Sequence, residues 1–211
     1  MRFVQFLLAF SFLSLGVFAQ KSLSGPLRTG DILFQNLDCG DLCDAIEKVT
    51  KSYGGRQLSH IGLVEIIDDN IYVLEAIGDR VQRTRLSKFS SRSNNEILVG
   101  RIKKRYNDII PKAITFVIQK LNVPYDDVFL YDNNKYYCSE LLYDAFKAAN
   151  SDDDFFSLQP MTFKQPGSET YFPVWVDYYK KRNMDIPEGA PGINPGGISM
   201  SRKLDVYVYR K

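Results

Sequence analysis

The chain has 211 residues, 45% hydrophobic and 13% aromatic, with a formal charge of +2 at neutral pH. That is a globular composition with enough apolar material for one sizeable core. The basic residues are scattered among acidic ones and form no stripe, which excludes nucleic acid as an expected partner.

Met1-Arg2, an apolar run from Phe3 to Val17, and small residues at Val17 and Ala19 read as a secretory signal peptide cut after Ala19. Residues 1–19 are then a signal peptide and 20–211 one domain. The expected product is a soluble periplasmic or secreted monomer. No cysteine follows the cleavage point to take a lipid, and no later run is long enough to span a bilayer. Of the three cysteines, Cys39 and Cys43 lie four residues apart and Cys138 stands alone. Parity in an oxidising compartment predicts a Cys39–Cys43 disulfide and a free Cys138 thiol. The bond requires Cys39 to precede the helix that follows, because two cysteines within regular helix would strain it. A zinc site is poorly supported, since there is no second cysteine pair and only one histidine. Neither a metal nor an organic cofactor is expected.

In chain order, Gly30 to Gln35 reads as a turn entering a short buried strand, and Asp41 opens a helix with Leu42, Ala45, Ile46 and Val49 on one face. Tyr53 to Arg56 is a loop. Ser59 to Ile67 and Ile71 to Ile77 flank Asp68-Asp69-Asn70 as a hairpin. Leu86 to Arg92 suggests a short helix and Ile97 to Ile102 a strand. Ile110, Ile114, Val117, Ile118 and Leu121 mark the buried stripe of a longer helix, which Pro124 ends. Lys135 to Phe146 starts a further helix, with Asn133 or Asn134 as its cap and Leu141, Leu142, Ala145, Phe146 and Ala149 on its apolar face. An acidic, aromatic loop, a helix around Trp175 to Lys181, a Pro/Gly run from Pro187 to Gly197 without regular structure, and a closing strand from Leu204 to Tyr209 complete the chain. Hairpin strands with helices not interposed one by one predict an α+β fold, an antiparallel sheet packed against helices.

Cys138 falls in the first turn of its helix. There the positive end of the helix dipole would favour a thiolate, the reactive form. Taken alone, a small core hydrophobe is the blander account of it. A thiol nucleophile needs a base, and His60 is the only histidine in the chain. It opens an apolar strand beside the small Gly62, where an imidazole is poorly explained as filling, although a structural histidine bonded to backbone stays open. Glu75, on the second strand of the hairpin, is the best-placed acid to orient that base. A two-residue Asp69-Asn70 turn would set Glu75 opposite Val64, on His60's face but four residues, roughly 13 Å, along the strand. Twist, a bulge or a different turn would be needed to close the gap. Glu65 would face the other way.

These residues resemble the permuted NlpC-type papain-like cysteine hydrolases, specifically the YiiX-like (YebB-like) group. The resemblance rests on Gly30-Asp31-Ile32-Leu33-Phe34-Gln35, Ser59-His60-Ile61-Gly62-Leu63-Val64, Val73-Leu74-Glu75-Ala76, Pro124-Tyr125-Asp126 and Tyr137-Cys138-Ser139-Glu140-Leu141, and covers residues 28 to 149. It implies a circularly permuted papain-like fold in which histidine and acid precede the cysteine helix, hence His60, Glu75 and Cys138 as the catalytic group. It further implies Tyr125 close to the nucleophile, and Gly30, Asp31 and Tyr137 bordering the substrate. The implied reaction is hydrolysis of an amide or ester through a thioester, on an acylated or lipid-like amide or a cell-wall peptide. The rival is a non-catalytic ligand- or lipid-binding module with the same pocket. Residues 150–211 carry no motif that can be transferred.

Overall fold

The computed structural model describes residues 25–210. The segment read as a signal peptide, residues 1–19, lies outside the described residues. The elements in chain order are β1 (Ile32–Gln35), α1 (Asp41–Val49), β2 (His60–Ile67), β3 (Asn70–Ile77), β4 (Arg80–Arg85), α2 (Leu86–Ser90), β5 (Leu98–Ile102), α3 (Ile110–Gln119), α4 (Cys138–Ala149), β6 (Gln159–Pro160), α5 (Pro173–Lys180), β7 (Pro191–Gly192), α6 (Pro195–Ser199) and β8 (Leu204–Val208). Six strands form one sheet in the order β4-β3-β2-β1-β5-β8, every neighbouring pair antiparallel.

The alternation along the strands sorts side chains onto two faces. Ile32, Phe34, Ile61, Leu63, Leu74 and Ala76 pack against α3 and α4 in the main core. Leu33, Val64, Val73, Val99 and Tyr207 of β8 point the other way and pack with Leu27 and Phe89 of α2. The stripe expected on the cysteine helix is all buried: Leu141, Leu142, Ala145, Phe146 and Ala149. The acidic loop after α4 contributes to the same core through its aromatics, Phe146 lying 5.3 Å from both Phe155 and Phe156. A third cluster of Ala45, Phe163, Trp175 and Tyr179 joins α1 to α5.

β4 and the run from Pro187 to Gly197 depart from the sequence reading. β4 carries exposed Arg80, Arg83 and Arg85, the charged pattern of an edge strand that blunts further pairing, so no hydrophobic alternation marks it. The run from Pro187 to Gly197 does contain regular structure, namely β7 and the start of α6. Asn194 caps that short helix by accepting from the Gly197 N–H at 2.7 Å, and Pro195 takes the first position, where a missing N–H costs nothing. No helix among the described residues is long and apolar enough to cross a membrane.

Candidate active site

Helix α4 begins at Cys138, with Tyr137 before it in extended conformation (φ −86°, ψ 168°). Neither asparagine expected to cap it does so. Asn133 instead accepts from the Lys135 N–H at 3.0 Å within the preceding turn. The reach-back comes from Glu140 in the third helical position, which accepts from the Tyr137 N–H at 3.3 Å and the Asp132 N–H at 3.1 Å and ties the 132–137 loop to the helix start. Burial pushes the Glu140 carboxyl up to about 8 despite those two amides, so near neutral pH it adds little negative charge beside the sulfur. Cys138 is 7% exposed and is the free cysteine of the chain. Its own N–H, first in the helix, has no intrahelical carbonyl to bond and lies at the positive end of the dipole.

The His60 imidazole bonds Glu75, Nε2 to Oε2, at 2.7 Å, with both residues buried. Its remaining ring nitrogen is left for Cys138, whose sulfur lies close enough to help raise the imidazole. The pairing is closer than expected because Asp68 and Asp69 make the turn, both at positive φ (45° and 62°) as a type I′ hairpin requires. Ile67 then pairs with Asn70 and Leu63 with Leu74, which sets Glu75 opposite Gly62. Relative to the expected turn, the register moves by two residues. The face is kept, and His60 and Glu75 become diagonal neighbours, a separation of about 7–8 Å between backbones that the two side chains close. Glu65 does face the other way and is bonded by Arg83 at 2.6 and 3.1 Å.

Burial alone would push the His60 imidazole down. Cys138 and Glu75 beside it carry it up to about 9. Burial would likewise raise Glu75, but hydrogen bonds from His60 and Arg92 hold it down at about 2. Arg92 escaped the sequence reading. Its guanidinium donates to both carboxylate oxygens of Glu75, at 2.7 and 2.6 Å, from the turn after α2. Nothing local in the sequence marks it, since its partner lies 17 residues earlier.

Tyr125 stands beside Cys138, its phenol held well above the usual range by burial first and then by the nearby sulfur, so the hydroxyl keeps its proton. The Tyr137 hydroxyl accepts from the Ile193 N–H at 3.1 Å, while the Ser139 hydroxyl donates to the Ile193 carbonyl at 2.8 Å. The segment after β7 is thereby fastened over the start of α4. Cys138, His60, Tyr125 and Tyr137 line one end of a cavity of ≈ 340 Å³ whose remaining walls are largely apolar, including Leu42, Ile46, Phe129, Met161 and Trp175. Cys39 and Cys43 line it as well. They are joined as a disulfide with Cα atoms 5.3 Å apart, and Cys39 precedes the first residue of α1.

Gly30 and Asp31 are not at this site, contrary to expectation. β1 runs antiparallel to β2, so Gln35 pairs with His60 while Gly30 and Asp31 lie at the far end, bonded to Val64. There the Asp31 carboxylate accepts two hydrogen bonds from Arg101, at 2.8 and 2.7 Å, and one from the Arg28 N–H at 2.8 Å, a structural tie to β5.

An antiparallel sheet that supplies histidine and acid ahead of a buried helix N-terminus carrying cysteine defines a papain-like hydrolase fold in permuted chain order. The chain belongs to the family of permuted papain-like amidases, YaeF/YiiX, C92, whose family model matches residues 26–205. Among solved structures it is similar to the crystal structure of metalloprotein yiiX from Escherichia coli O157:H7. The TM-score is 0.69 at 22% identity, over 87% of this chain and 97% of that one, a likeness of fold. A search of curated proteins finds no match. Among the described residues no group of three or more His, Cys, Asp or Glu side chains is arranged to hold a metal ion.

Proposed function

We propose that the chain is an exported cysteine hydrolase that cleaves an acyl amide or ester through a thioester on Cys138. The observation that carries this reading is the buried His60–Glu75 bond of 2.7 Å, serving a cysteine at a helix N-terminus that opens on an apolar cavity. The Cys138 thiolate attacks the substrate carbonyl, and His60 as imidazolium protonates the leaving amine or alcohol. His60 then takes a proton from water, and the hydroxide releases the acyl group. The Cys138 N–H and the Tyr125 hydroxyl bond the oxyanion in both steps of this reading. Tyr137 works at one remove, holding Ile193 as a wall of the cavity. A cavity of ≈ 340 Å³ with largely apolar walls favours an acyl chain over a charged cell-wall peptide. A cysteine hydrolase needs no cofactor.

The test is hydrolysis of a series of acyl amides and esters of rising chain length, with peptidoglycan-derived peptides in parallel. The expected result is kcat/KM rising with chain length, and its complete loss in Cys138→Ala. Turnover by Cys138→Ala equal to the parent's ends the proposal. A preference for the peptides overturns the acyl assignment alone.

A further inference from the structure

Glu75 is fully buried, and its role requires that it stay ionised there. A neutral carboxylic acid at this position would donate its O–H to His60 Nε2. The ring proton would then sit on Nδ1, facing the sulfur, and the imidazole could no longer accept the thiol proton. A carboxylate away from water tends toward that neutral state unless it is paired and hydrogen-bonded.

Arg92 supplies the pairing. Nη1 donates to Oε2, the oxygen that also bonds His60, and Nη2 donates to Oε1, so the carboxylate plane is fixed at both atoms. The guanidinium is itself held, lying 5.6 Å over the Phe89 ring, which is fully buried and 5.8 Å from the His60 ring. The Arg92 N–H bonds the Phe89 carbonyl at 3.4 Å, closing the turn after α2. An arginine cannot lose its charge in this setting, as a lysine could.

We propose that Arg92 is a positioning residue of the hydrolase, fixing the Glu75 carboxylate and through it the His60 tautomer that serves Cys138. This rests on the cysteine-hydrolase reading above. If Arg92 were only a structural ion pair, its removal would lower stability without changing how Cys138 responds to pH.

The experiment measures iodoacetamide alkylation of Cys138 against pH in the disulfide-intact protein, for the parent, Arg92→Gln and Arg92→Lys, with thermal unfolding alongside. In Arg92→Gln the acid-side midpoint of the profile is expected to move to higher pH. The rate at neutral pH should fall by about 10- to 100-fold, the loss of one to two charge-assisted hydrogen bonds. Arg92→Lys should recover part of it, keeping the charge but not the paired geometry. A profile for Arg92→Gln superimposable on the parent's overturns the proposal whatever happens to the unfolding temperature. Should Arg92→Gln fail to fold, Glu75→Gln and the Glu75→Gln/Arg92→Gln pair carry the test. Equal profiles support action through Glu75, and a slower double variant overturns it. A parent thiol that is slow and insensitive to pH sinks the hydrolase reading itself, a failure distinct from that of Arg92.

Discussion

Gly62 sits directly across from Glu75 and two residues from His60 on the same strand, so an alanine there tests how tightly the pairing is packed. A Cβ at residue 62 would lie 2.4 Å from Val73 Cγ1, 3.2 Å from the Leu74 carbonyl oxygen and 3.3 Å from Glu75 Cβ. The first distance is far inside van der Waals contact. Val73 is fully buried and β-branched, with little rotamer freedom to yield. Strand β3 must therefore move away from β2, at a cost of about 1–3 kcal/mol for overpacking a filled site. The same displacement loosens the 2.7 Å His60–Glu75 bond. Gly62→Ala is thus expected to lower the unfolding temperature by about 2–4 °C per kcal/mol and to slow alkylation of Cys138 together with hydrolysis. Gly25→Ala is the control, since nothing lies within 4 Å of a Cβ there, and it should change neither quantity. Scanning calorimetry and the alkylation rate decide the matter. A Gly62→Ala protein as stable and as reactive as the parent would show that the two strands tolerate separation, and the packing argument would be wrong.

Asp31→Asn should destabilise the fold by about 3–5 kcal/mol, because it leaves the Arg101 guanidinium without its bidentate partner, yet leave the pH profile of Cys138 alkylation unchanged. A shifted profile would return Asp31 to the site. Intact mass of the protein, produced with its N-terminal segment in an export-competent host and alkylated without reductant, should show one modified thiol. Three would mean that Cys39 and Cys43 are not paired in the cell. Glu140 is raised to about 8 from an unfolded value near 4.5, so its stabilising contribution is complete below pH 4.5 and is lost as pH rises through 8. Unfolding temperatures of Glu140→Gln measured from pH 5 to 9 should accordingly fall less steeply than the parent's. Parallel curves would refute the assignment. His60, also raised, acts in both proteins and cancels from the comparison.

What was legible in the sequence divides by residue type and by distance along the chain. Cys138 and His60 were readable because they are an unpaired cysteine and a sole histidine, each in a local pattern that gives its element: an amphipathic stripe behind the one, an apolar alternation after the other. Glu75 was readable as to face but not as to distance. Moving the turn from Asp69-Asn70 to Asp68-Asp69 shifts the register by two residues, which preserves the side-chain parity while halving the offset from His60. Positive φ at two successive aspartates selects between the two turns, and three adjacent polar residues do not announce it. β4 was hidden by the charges that make it a good edge, whereas the short helix α6 had a usable signal in Asn194-Pro195, an N-cap followed by proline.

Gly30 and Asp31 show the opposite case, a local motif read correctly as a turn entering a strand but assigned to the wrong end of it. Antiparallel pairing brings the C-terminal end of β1 to His60, so the motif belongs to the end that the Arg101 pair secures. Arg92 carries the same lesson in reverse. Arginines are common on surfaces, and this one meets Glu75 only because β4 returns alongside β3 and α2 then folds back over one face of the sheet. The cavity, too, is assembled from α1, the residue 125–138 region and the segment around β6 and β7, distant in sequence and with no shared pattern. Chemistry concentrated in rare residues can be read from their order. The groups that set the charge of Glu75 and the shape of the cavity become visible only when topology brings common residues together.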